Sequence, residues 1–350
     1  MHGTAVSAGS VPGLFGSINA PSAAYAAFSP PFHYDEEEKL YVGGQFWNGR
    51  ASTLADQAAQ PPLNPVEMAM PNAWAVVARL QEQPRYVQAF REVYGLDLTR
   101  VPPPGDAPAP AVVETVYARM TRAIAQFERS AQFSPFTSKY DFVLAGRTEL
   151  SPQEAAGRKL FEGKGKCSAC HPSELEPDAS GRPFPPLLTD FTFDNLGLPR
   201  NVRIPGNPEP NLGLGGRAEI AAKDPKGHEL GKHKVMTLRN IAVTPPYGHN
   251  GVFDTLEQIT HFYNTRDTLP RVCADNTDPG FGVDCWPAPE VTRNVNTAEL
   301  GDLGLTAEEE AAIVAFMKTL TDGYPQWGGD PKVPSGTASP FAYVVPPELP

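Results

Sequence analysis

Positive charge is scarce in this 350-residue sequence, which has 29 lysine and arginine residues against 40 aspartate and glutamate residues. The formal net charge is −11. A protein that binds nucleic acid needs a clustered basic surface to neutralise phosphates, and no such cluster is visible here. The sequence therefore argues against nucleic acid as a partner, whereas an acidic surface suits small neutral substrates or basic proteins.

Long apolar runs are also missing. No segment approaches the roughly 20 apolar residues that cross a bilayer, and residues 1–15 have neither the basic start nor the apolar centre of a secretion signal. Hydrophobic residues nevertheless make up 41% of the chain, which is enough to bury a core in one or two globular units. We therefore expect no membrane span.

Cysteine is rare, with four residues in the chain. Cys273 and Cys285 flank a short polar loop, and two cysteines that close such a loop suit a disulfide in an oxidising compartment. The alternative is that they bind zinc together with the other pair, Cys167 and Cys170. We expect the disulfide.

Proline (39) and glycine (31) are abundant, which predicts long irregular stretches between modest helices. Apolar spacing predicts a helix near residue 72, another over 84–94 and a buried amphipathic helix over 112–130. Ser151 and Thr306 each start a helix with a capping box. No alternating strand pattern is visible. The sequence thus predicts a mainly α fold with two units, 1–147 and 148–325, and a proline-rich tail at 326–350.

The sequence Cys167-Ser-Ala-Cys170-His171 is the haem c attachment pattern, in which two thiols add to the vinyl groups and the adjacent imidazole binds the iron. A redox dithiol or half of a zinc site is the alternative, but the adjacent histidine and the lack of a preceding strand disfavour both. We expect a covalently attached haem.

The second axial position of the iron has several candidates, and spacing does not choose among them. They are Met236, His249, His261, Tyr263 and Met317. Met317 lies on the apolar stripe of the last helix, so we expect it to pack there. His228 and His233 lie in a Gly/Lys-rich stretch and are expected to face solvent.

Several spaced segments carry a wider pattern. They are residues 18–22 (INAPS), 46–51 (FWNGRA), 64–68 (NPVEM), 127–129 (FER) and 237–257, which includes TPPYGHNG at 244–251. In content and order they resemble the bacterial dihaem cytochrome c peroxidase and MauG family, over nearly the whole chain. The resemblance implies two cytochrome c-like helical domains joined by long irregular loops. The N-terminal haem of the family meets peroxide, and the C-terminal haem relays electrons.

The resemblance also implies roles for individual residues near the reactive haem. Trp47 matches the tryptophan between the two haems, Glu67 matches the distal carboxylate and Pro61 matches the neighbouring distal proline. A core aromatic and a carboxylate at a helix start are the alternative interpretations of Trp47 and Glu67.

At the second haem, Tyr263 lies fourteen residues after His249 and matches the second axial ligand, a position that is tyrosine in MauG-like members and methionine in ordinary ones. Packing within its helix is the alternative for Tyr263. Arg239, in the TLRN segment, is assigned to haem binding by the same resemblance.

A calcium ion between the haems is implied as well. Asn19 and the backbone carbonyls of Thr244 and Pro246 match its ligands.

One departure limits the resemblance. Family members carry a first C-x-x-C-H shortly before the Asn-Ala-Pro segment, and this sequence has a single such motif. We expect either that Met1 lies inside a longer gene, which would supply the second haem motif and a signal peptide, or that the chain is a natural single-haem derivative. Haem attachment itself implies export, so we expect a periplasmic protein.

Three functions fit the sequence. The first is a peroxidase that reduces hydrogen peroxide with electrons from a small cytochrome c or cupredoxin. The second is a MauG-like oxidase that modifies aromatic residues of a partner protein, which Tyr263 favours. The third is a single-haem electron-transfer cytochrome, which the lone haem motif favours. Dimers are common in the family, so a homodimer is one expected assembly.

Overall fold

The computed structural model describes residues 3–105, 108–206 and 209–346. Within these ranges the structure is rich in helices, as predicted. The α-helices are α1 (Leu54–Ala58), α2 (Ala73–Gln81), α3 (Pro84–Tyr94), α4 (Ala111–Glu128), α5 (Lys139–Leu144), α6 (Pro152–Glu162), α7 (Ala218–Ala221), α8 (Leu256–Thr265), α9 (Ala307–Lys318) and α10 (Tyr324–Trp327). Short 3₁₀ helices span Ala26–Phe28, Leu98–Arg100, Cys167–Ala169, Gly213–Gly216 and Ile241–Val243.

Small sheets of two strands each accompany the helices. The strands are β1 (His33–Asp35), β2 (Leu40–Val42), β3 (Glu176–Pro177), β4 (Pro183–Phe184), β5 (Phe193–Asp194), β6 (His233–Lys234), β7 (Arg271–Cys273) and β8 (Cys285–Pro287). The β1–β2, β3–β4 and β5–β6 pairs are antiparallel, and β7–β8 is parallel. Strands of two or three residues are too short to show an alternating pattern, which explains why the sequence did not reveal them.

The predicted helix starts at Ser151 and Thr306 are confirmed. Each side chain accepts a hydrogen bond from the backbone N–H three residues on, and the glutamate there accepts one from the backbone N–H of the cap residue. Each capping box satisfies two donors that would otherwise lack partners at the helix start. These caps fix where α6 and α9 begin.

The first half of the chain builds a core from α2, α3 and α4. Its buried centre is formed by Trp74, Val77, Phe90, Val113 and Val116. The first part of the apolar stripe predicted over 112–130 is buried as expected, and α4 ends within two residues of the predicted bound. Ile124 and Phe127, which the prediction also placed on the buried stripe, are exposed. Tyr117, on the same helix, donates from its hydroxyl to the Ala59 carbonyl at 2.6 Å, which ties α4 to the end of α1.

The second half is organised around the crossing of α6 and α9. Phe161 and Phe316 pack edge to face with their ring centroids 5.2 Å apart. Gly157 allows the close approach, because a Cβ atom there would lie 1.8 Å from the Ala312 carbonyl oxygen. Tyr140 of α5 packs in the same core. Helix α5 thus packs with the second half, although it precedes the predicted boundary at residue 147.

Buried polar contacts join distant segments of the chain. The Asp322 carboxylate accepts hydrogen bonds from the Tyr25 hydroxyl at 3.0 Å, from the Thr137 N–H at 2.9 Å and from the Asn240 side chain at 2.8 Å. Burial raises the pKa of Asp322, and the donors around it oppose that shift. This cluster, which we call the Asp322 junction, connects residues near both ends of the described chain.

The proline-rich tail packs against the rest of the protein. Val333 lies in a cluster with Phe142 and Tyr324, and Phe341 packs with Tyr25 and Phe136. Elsewhere, Cys273 and Cys285 form the predicted disulfide. Among the described residues, we find no helix that is both long and apolar enough to span a membrane.

Candidate functional site

The haem motif lies in the turn that follows α6. Lys166 adopts a left-handed conformation (φ 54°), and the chain then forms the 3₁₀ helix Cys167–Ala169. The His171 N–H donates to the Cys167 carbonyl at 2.9 Å, which places the imidazole beside the two thiols. Cys167 and Cys170 are not joined to each other by a disulfide. Burial raises the pKa of both thiols to about 12, so they are protonated at neutral pH.

The orientation of His171 is fixed by one hydrogen bond. Its Nδ1 lies 2.7 Å from the Leu188 carbonyl oxygen. Because a carbonyl only accepts, Nδ1 carries the proton and Nε2 keeps its lone pair. Burial lowers the pKa of His171 to about 4, in agreement with a neutral ring. A neutral imidazole held through Nδ1 is the usual form of a histidine that binds a metal through Nε2.

A cavity opens beside these groups. It encloses about 1000 Å³ of empty space, including its mouth. Cys167, Cys170 and His171 line it, and most of its other walls are apolar. Leu238, Ile241 and Ile259 are among these walls, and the space continues into a smaller apolar cavity that reaches Ile313 and Met317. Two thiols, a free imidazole nitrogen and apolar walls fit a covalently attached haem.

Tyr263 lines the same cavity from helix α8. The Thr255 side chain caps the start of this helix by accepting from the Gln258 N–H. Burial raises the pKa of the Tyr263 hydroxyl above its usual value. The Tyr263 phenol is therefore a candidate ligand on the same cavity as His171.

The other candidates for the second axial ligand differ in whether they line the cavity. Met236 and His249 also line the cavity. His261 instead pairs with the Glu310 carboxylate, with Nδ1 2.9 Å from Oε1. Met317 is buried in the core, as predicted, and reaches only the smaller apolar cavity.

Trp47 borders the cavity from the first half of the chain. Its indole Nε1–H donates to the Asn19 carbonyl at 2.9 Å. Its ring meets the edge of His249, with centroids 6.4 Å apart and planes at 72°. The Lys234 backbone N–H donates to the Trp47 carbonyl at 2.7 Å, which connects this loop to β6. The structure thus brings Trp47 to the haem motif from 120 positions away in the sequence.

The expectation that His233 faces solvent is wrong. Its ring is buried and stacks on His249 with centroids 3.6 Å apart and planes at 5°. Its nitrogens lie 3.0 Å from the Gly231 carbonyl and 3.0 Å from Asn211 Oδ1. Burial and the neighbouring His249 lower the pKa of His233. The Gly/Lys-rich composition of this stretch concealed a buried residue, whereas His228 is exposed as expected.

Lys234 is a buried residue that sequence reasoning missed. Its ammonium donates to the Gly44 carbonyl at 2.5 Å and lies 3.4 Å from the Ser29 hydroxyl. Burial lowers its pKa to about 7. Both side-chain partners are neutral oxygens, so no carboxylate compensates the charge within the described residues.

Known proteins resemble this chain in sequence and in fold. Residues 1–149 match the family model described as di-haem cytochrome c peroxidase. The methylamine utilization protein MauG of Paracoccus denitrificans (strain Pd 1222) is 38% identical over 324 residues, which cover 91% of this chain and 78% of that protein. The chain belongs to the dihaem cytochrome c peroxidase and MauG family. It is therefore an oxidoreductase, and its family implies haem c as the cofactor.

Other relatives agree with this family. The cytochrome c peroxidase Ccp of Escherichia coli (strain K12) is 33% identical over 76% of this chain and 47% of its own length. The crystal structure of the dihaem peroxidase BthA from Burkholderia thailandensis superposes with a TM-score of 0.72 at 30% identity, and the match covers 96% of this chain and 79% of BthA. A MauG-like protein associated with microbial copper homeostasis gives a TM-score of 0.61 at 27% identity, over 95% of this chain and 83% of that one.

The two residues that the family pattern places at a distal site, Pro61 and Glu67, lie in one turn. The Met68 N–H donates to the Pro61 carbonyl at 3.2 Å, which closes the turn. The Asn64 side-chain amide donates to Glu67 Oε1 at 2.6 Å. Both residues lie outside the lining of the cavity that holds Cys167 and His171. The structure therefore brings them to each other and not to the attached haem site.

The three predicted calcium ligands line a different cavity. Asn19, Thr244 and Pro246 all border it, together with Trp47. The Asn19 amide nitrogen donates to the Ala5 carbonyl at 3.1 Å, which orients the side chain. An amide oxygen and backbone carbonyls are the kind of donors that Ca²⁺ prefers.

Arg239 lies outside the lining of the haem cavity. It borders the cavity that is lined by the predicted calcium ligands. Its guanidinium forms two hydrogen bonds with the buried Asp141 carboxylate, at 3.0 and 3.1 Å. It also packs on the rings of Tyr25 and Phe136. These contacts give Arg239 a structural role, because its charged group is already paired.

Proposed function

We propose that this chain is a peroxide-reacting haem c oxidoreductase whose attached haem is bound by Cys167, Cys170, His171 and Tyr263. The observation that carries the proposal is the shared cavity. The two thiols, the imidazole and the phenol reach it from the turn after α6 and from α8, which are remote in sequence. The family includes proteins named cytochrome c peroxidase, so hydrogen peroxide is the proposed oxidant.

The haem supplies the iron-centred redox chemistry when it is bound. The residues of the chain provide the rest. His171 is held through Nδ1, so that Nε2 faces the cavity. Most of the walls are apolar, and an apolar surrounding strengthens electrostatic interactions inside the site. Trp47, fixed through its indole N–H, borders this cavity from the first half of the chain and is the proposed route for electrons.

Glu67 is the proposed acid/base residue at the peroxide site of the first half. The 2.6 Å hydrogen bond from Asn64 fixes one carboxylate oxygen and leaves the other to hold or transfer a proton. A carboxylate within hydrogen-bond reach of the peroxide oxygens contributes roughly 10²–10⁴-fold to the rate. Pro61 shapes the same turn. We also propose that the complete protein carries a second haem on this side.

Calcium is the proposed structural ion between the halves. Asn19 and the carbonyls of Thr244 and Pro246 would hold it, because all three border one cavity. We further propose a periplasmic location and a small redox protein as electron donor.

A MauG-like reaction is the second candidate function. In this version the oxidising equivalents are used on an aromatic residue of a partner protein. Tyr263 favours it, because tyrosine at this position is the MauG-like choice. The 38% identity to MauG from Paracoccus denitrificans supports it as well.

The decisive experiment counts haems and then measures turnover. Protein produced with its native maturation system is assayed by pyridine haemochromogen, and peroxide consumption is followed with a reduced small cytochrome. Two haems per chain with peroxide turnover support the proposal. One haem per chain without turnover would leave the electron-transfer cytochrome as the function. Turnover of peroxide only in the presence of an oxidisable partner protein would favour the MauG-like reaction.

Substitution at Tyr263 tests the proposed ligand. Because methionine ligation raises the haem reduction potential, Tyr263→Met should make the attached haem easier to reduce. Met317→Leu is the matched control, because Met317 packs in the core and does not border the main cavity. Unchanged optical spectra and potential in Tyr263→Met would remove Tyr263 from the iron.

A further inference from the structure

A row of three aromatic rings borders the haem cavity. Trp47 meets the edge of His249, and His249 stacks on His233. A buried carboxylate closes the row, since Glu290 Oε2 lies 3.0 Å from His249 Nε2. The other oxygen of Glu290 accepts from the Asn211 N–H at 2.8 Å, and Asn211 Oδ1 contacts His233. His249, His233, Asn211 and Glu290 thus form a closed set of contacts, and His249 also contacts the Trp47 ring.

His249 holds Trp47 by two separate routes. Its ring supports the indole directly. Its carbonyl accepts from the Asn19 N–H at 2.8 Å, and the Asn19 carbonyl accepts from the Trp47 indole at 2.9 Å. A rotation of the His249 ring would remove the first route, whereas the second runs through backbone carbonyls and stays in place. The support of the indole by a neighbouring ring therefore depends on what fixes the His249 ring.

Glu290 is the group that fixes it. Its side chain is only 3% exposed, and each oxygen has a partner from a different segment. A charged acceptor in such a buried place forms stronger hydrogen bonds than a neutral one. The stacked His233 ring prevents the His249 ring from leaving its plane, but stacking does not fix rotation within the plane. Only the bond to Glu290 Oε2 does so among the described contacts of the His249 ring.

We propose that Glu290 is a positioning residue for Trp47, acting through the His249 ring. The placement of Trp47 follows from the contacts, and its use in electron transfer rests on the proposed function. Without Glu290, the His249 ring rotates, the edge contact with the indole is lost and the indole N–H opens to solvent more often.

The experiment measures hydrogen exchange of the tryptophan indole N–H groups by NMR in haem-bearing protein labelled with ¹⁵N-indole tryptophan. Trp74 and Trp286 are internal references, because both are buried and donate to Pro102 and Thr265 respectively. Glu290→Ala is compared with Glu290→Gln. Glutamine keeps both contacts, since its oxygen accepts from Asn211 and its amide donates to a neutral imidazole.

The control is Glu310→Ala. It removes another carboxylate that lies 2.9 Å from an imidazole, His261, away from Trp47. His249→Phe is a second test variant, because it keeps a flat ring beside Trp47 and loses the bond to Glu290. It addresses the same question if Glu290→Ala does not fold.

We expect Glu290→Ala and His249→Phe to speed exchange of the Trp47 indole by about tenfold, the effect of losing one charge-assisted hydrogen bond. Trp74 and Trp286 should stay unchanged, and Glu290→Gln and Glu310→Ala should resemble the wild type. Unchanged exchange at Trp47 would overturn the proposal, and so would equal acceleration at all three tryptophans. Neither result depends on haem number or peroxide turnover, so failure here is distinct from failure of the proposed function.

Discussion

Substitution of Gly157 by alanine should destabilise the protein, although helix propensity predicts the opposite. Gly157 lies inside helix α6, where glycine costs about 1 kcal/mol relative to alanine. Propensity alone would therefore make Gly157→Ala stabilising. The structure reverses this expectation, because the new Cβ would lie 1.8 Å from the Ala312 carbonyl oxygen and 2.5 Å from its carbon.

The size of the effect follows from the distance. Real Cβ atoms essentially never come closer than 3.0 Å to such atoms, so the two helices must separate by more than 1 Å. The obstacle is backbone, which has no rotamer that relieves the clash. Overpacking of a core costs about 1–3 kcal/mol, and a backbone obstacle belongs at the upper end of that range. After subtraction of the propensity gain, we expect a net loss of about 2 kcal/mol.

Urea denaturation of the haem-bearing protein, followed by far-UV circular dichroism, measures this loss. The control is Ala156→Gly at the adjacent exposed position, which should lose about 1 kcal/mol through propensity alone. If Gly157→Ala unfolds at the same or a higher urea concentration than the wild type, the close crossing of α6 and α9 is wrong.

Three further predictions concern stability. Asp141→Asn should lower the free energy of unfolding by about 3–5 kcal/mol, because it leaves the buried Arg239 guanidinium without a counter-charge. A loss below about 1 kcal/mol in urea denaturation would contradict this prediction. Replacement of Cys273 and Cys285 by alanine should cost about 3 kcal/mol, through greater freedom of the unfolded chain; an unchanged melting temperature would argue against the disulfide. Burial lowers the pKa of Lys234 from 10.5 to about 7. Between these pH values the unfolded chain binds more protons than the folded protein, so the free energy of unfolding should rise with pH. Lys234→Met should abolish that rise, and a pH profile identical to that of the wild type would refute the prediction.

Local patterns in the sequence predicted the elements that depend on neighbouring residues. The haem motif is a five-residue signal, and its thiols and imidazole do lie together on one cavity. The two capping boxes and the apolar stripe of α4 are similarly local. Tyr263 was reached only through the family resemblance, because one tyrosine on a helix carries no signal of its own.

Contacts between remote residues could not be predicted. His233 looked exposed because its neighbours are glycine and lysine, yet its environment is decided by His249 and Asn211, which lie 16 and 22 positions away. Glu290 gave no signal at all, since a lone glutamate is usually solvated. The pairing of Asp141 with Arg239 spans 98 positions. Such pairs depend on how the loops fold over each other, and periodicity in the sequence does not predict contacts between distant loops.

The Asp322 junction has a consequence for protease digestion. It binds Tyr25, Thr137 and Asn240 through side chains and backbone that lie far apart in the sequence. A single cut in an exposed loop between these attachment points, such as residues 103–105, would leave the pieces held together. A nicked sample should therefore elute as one species under native conditions and separate into fragments only in denaturant.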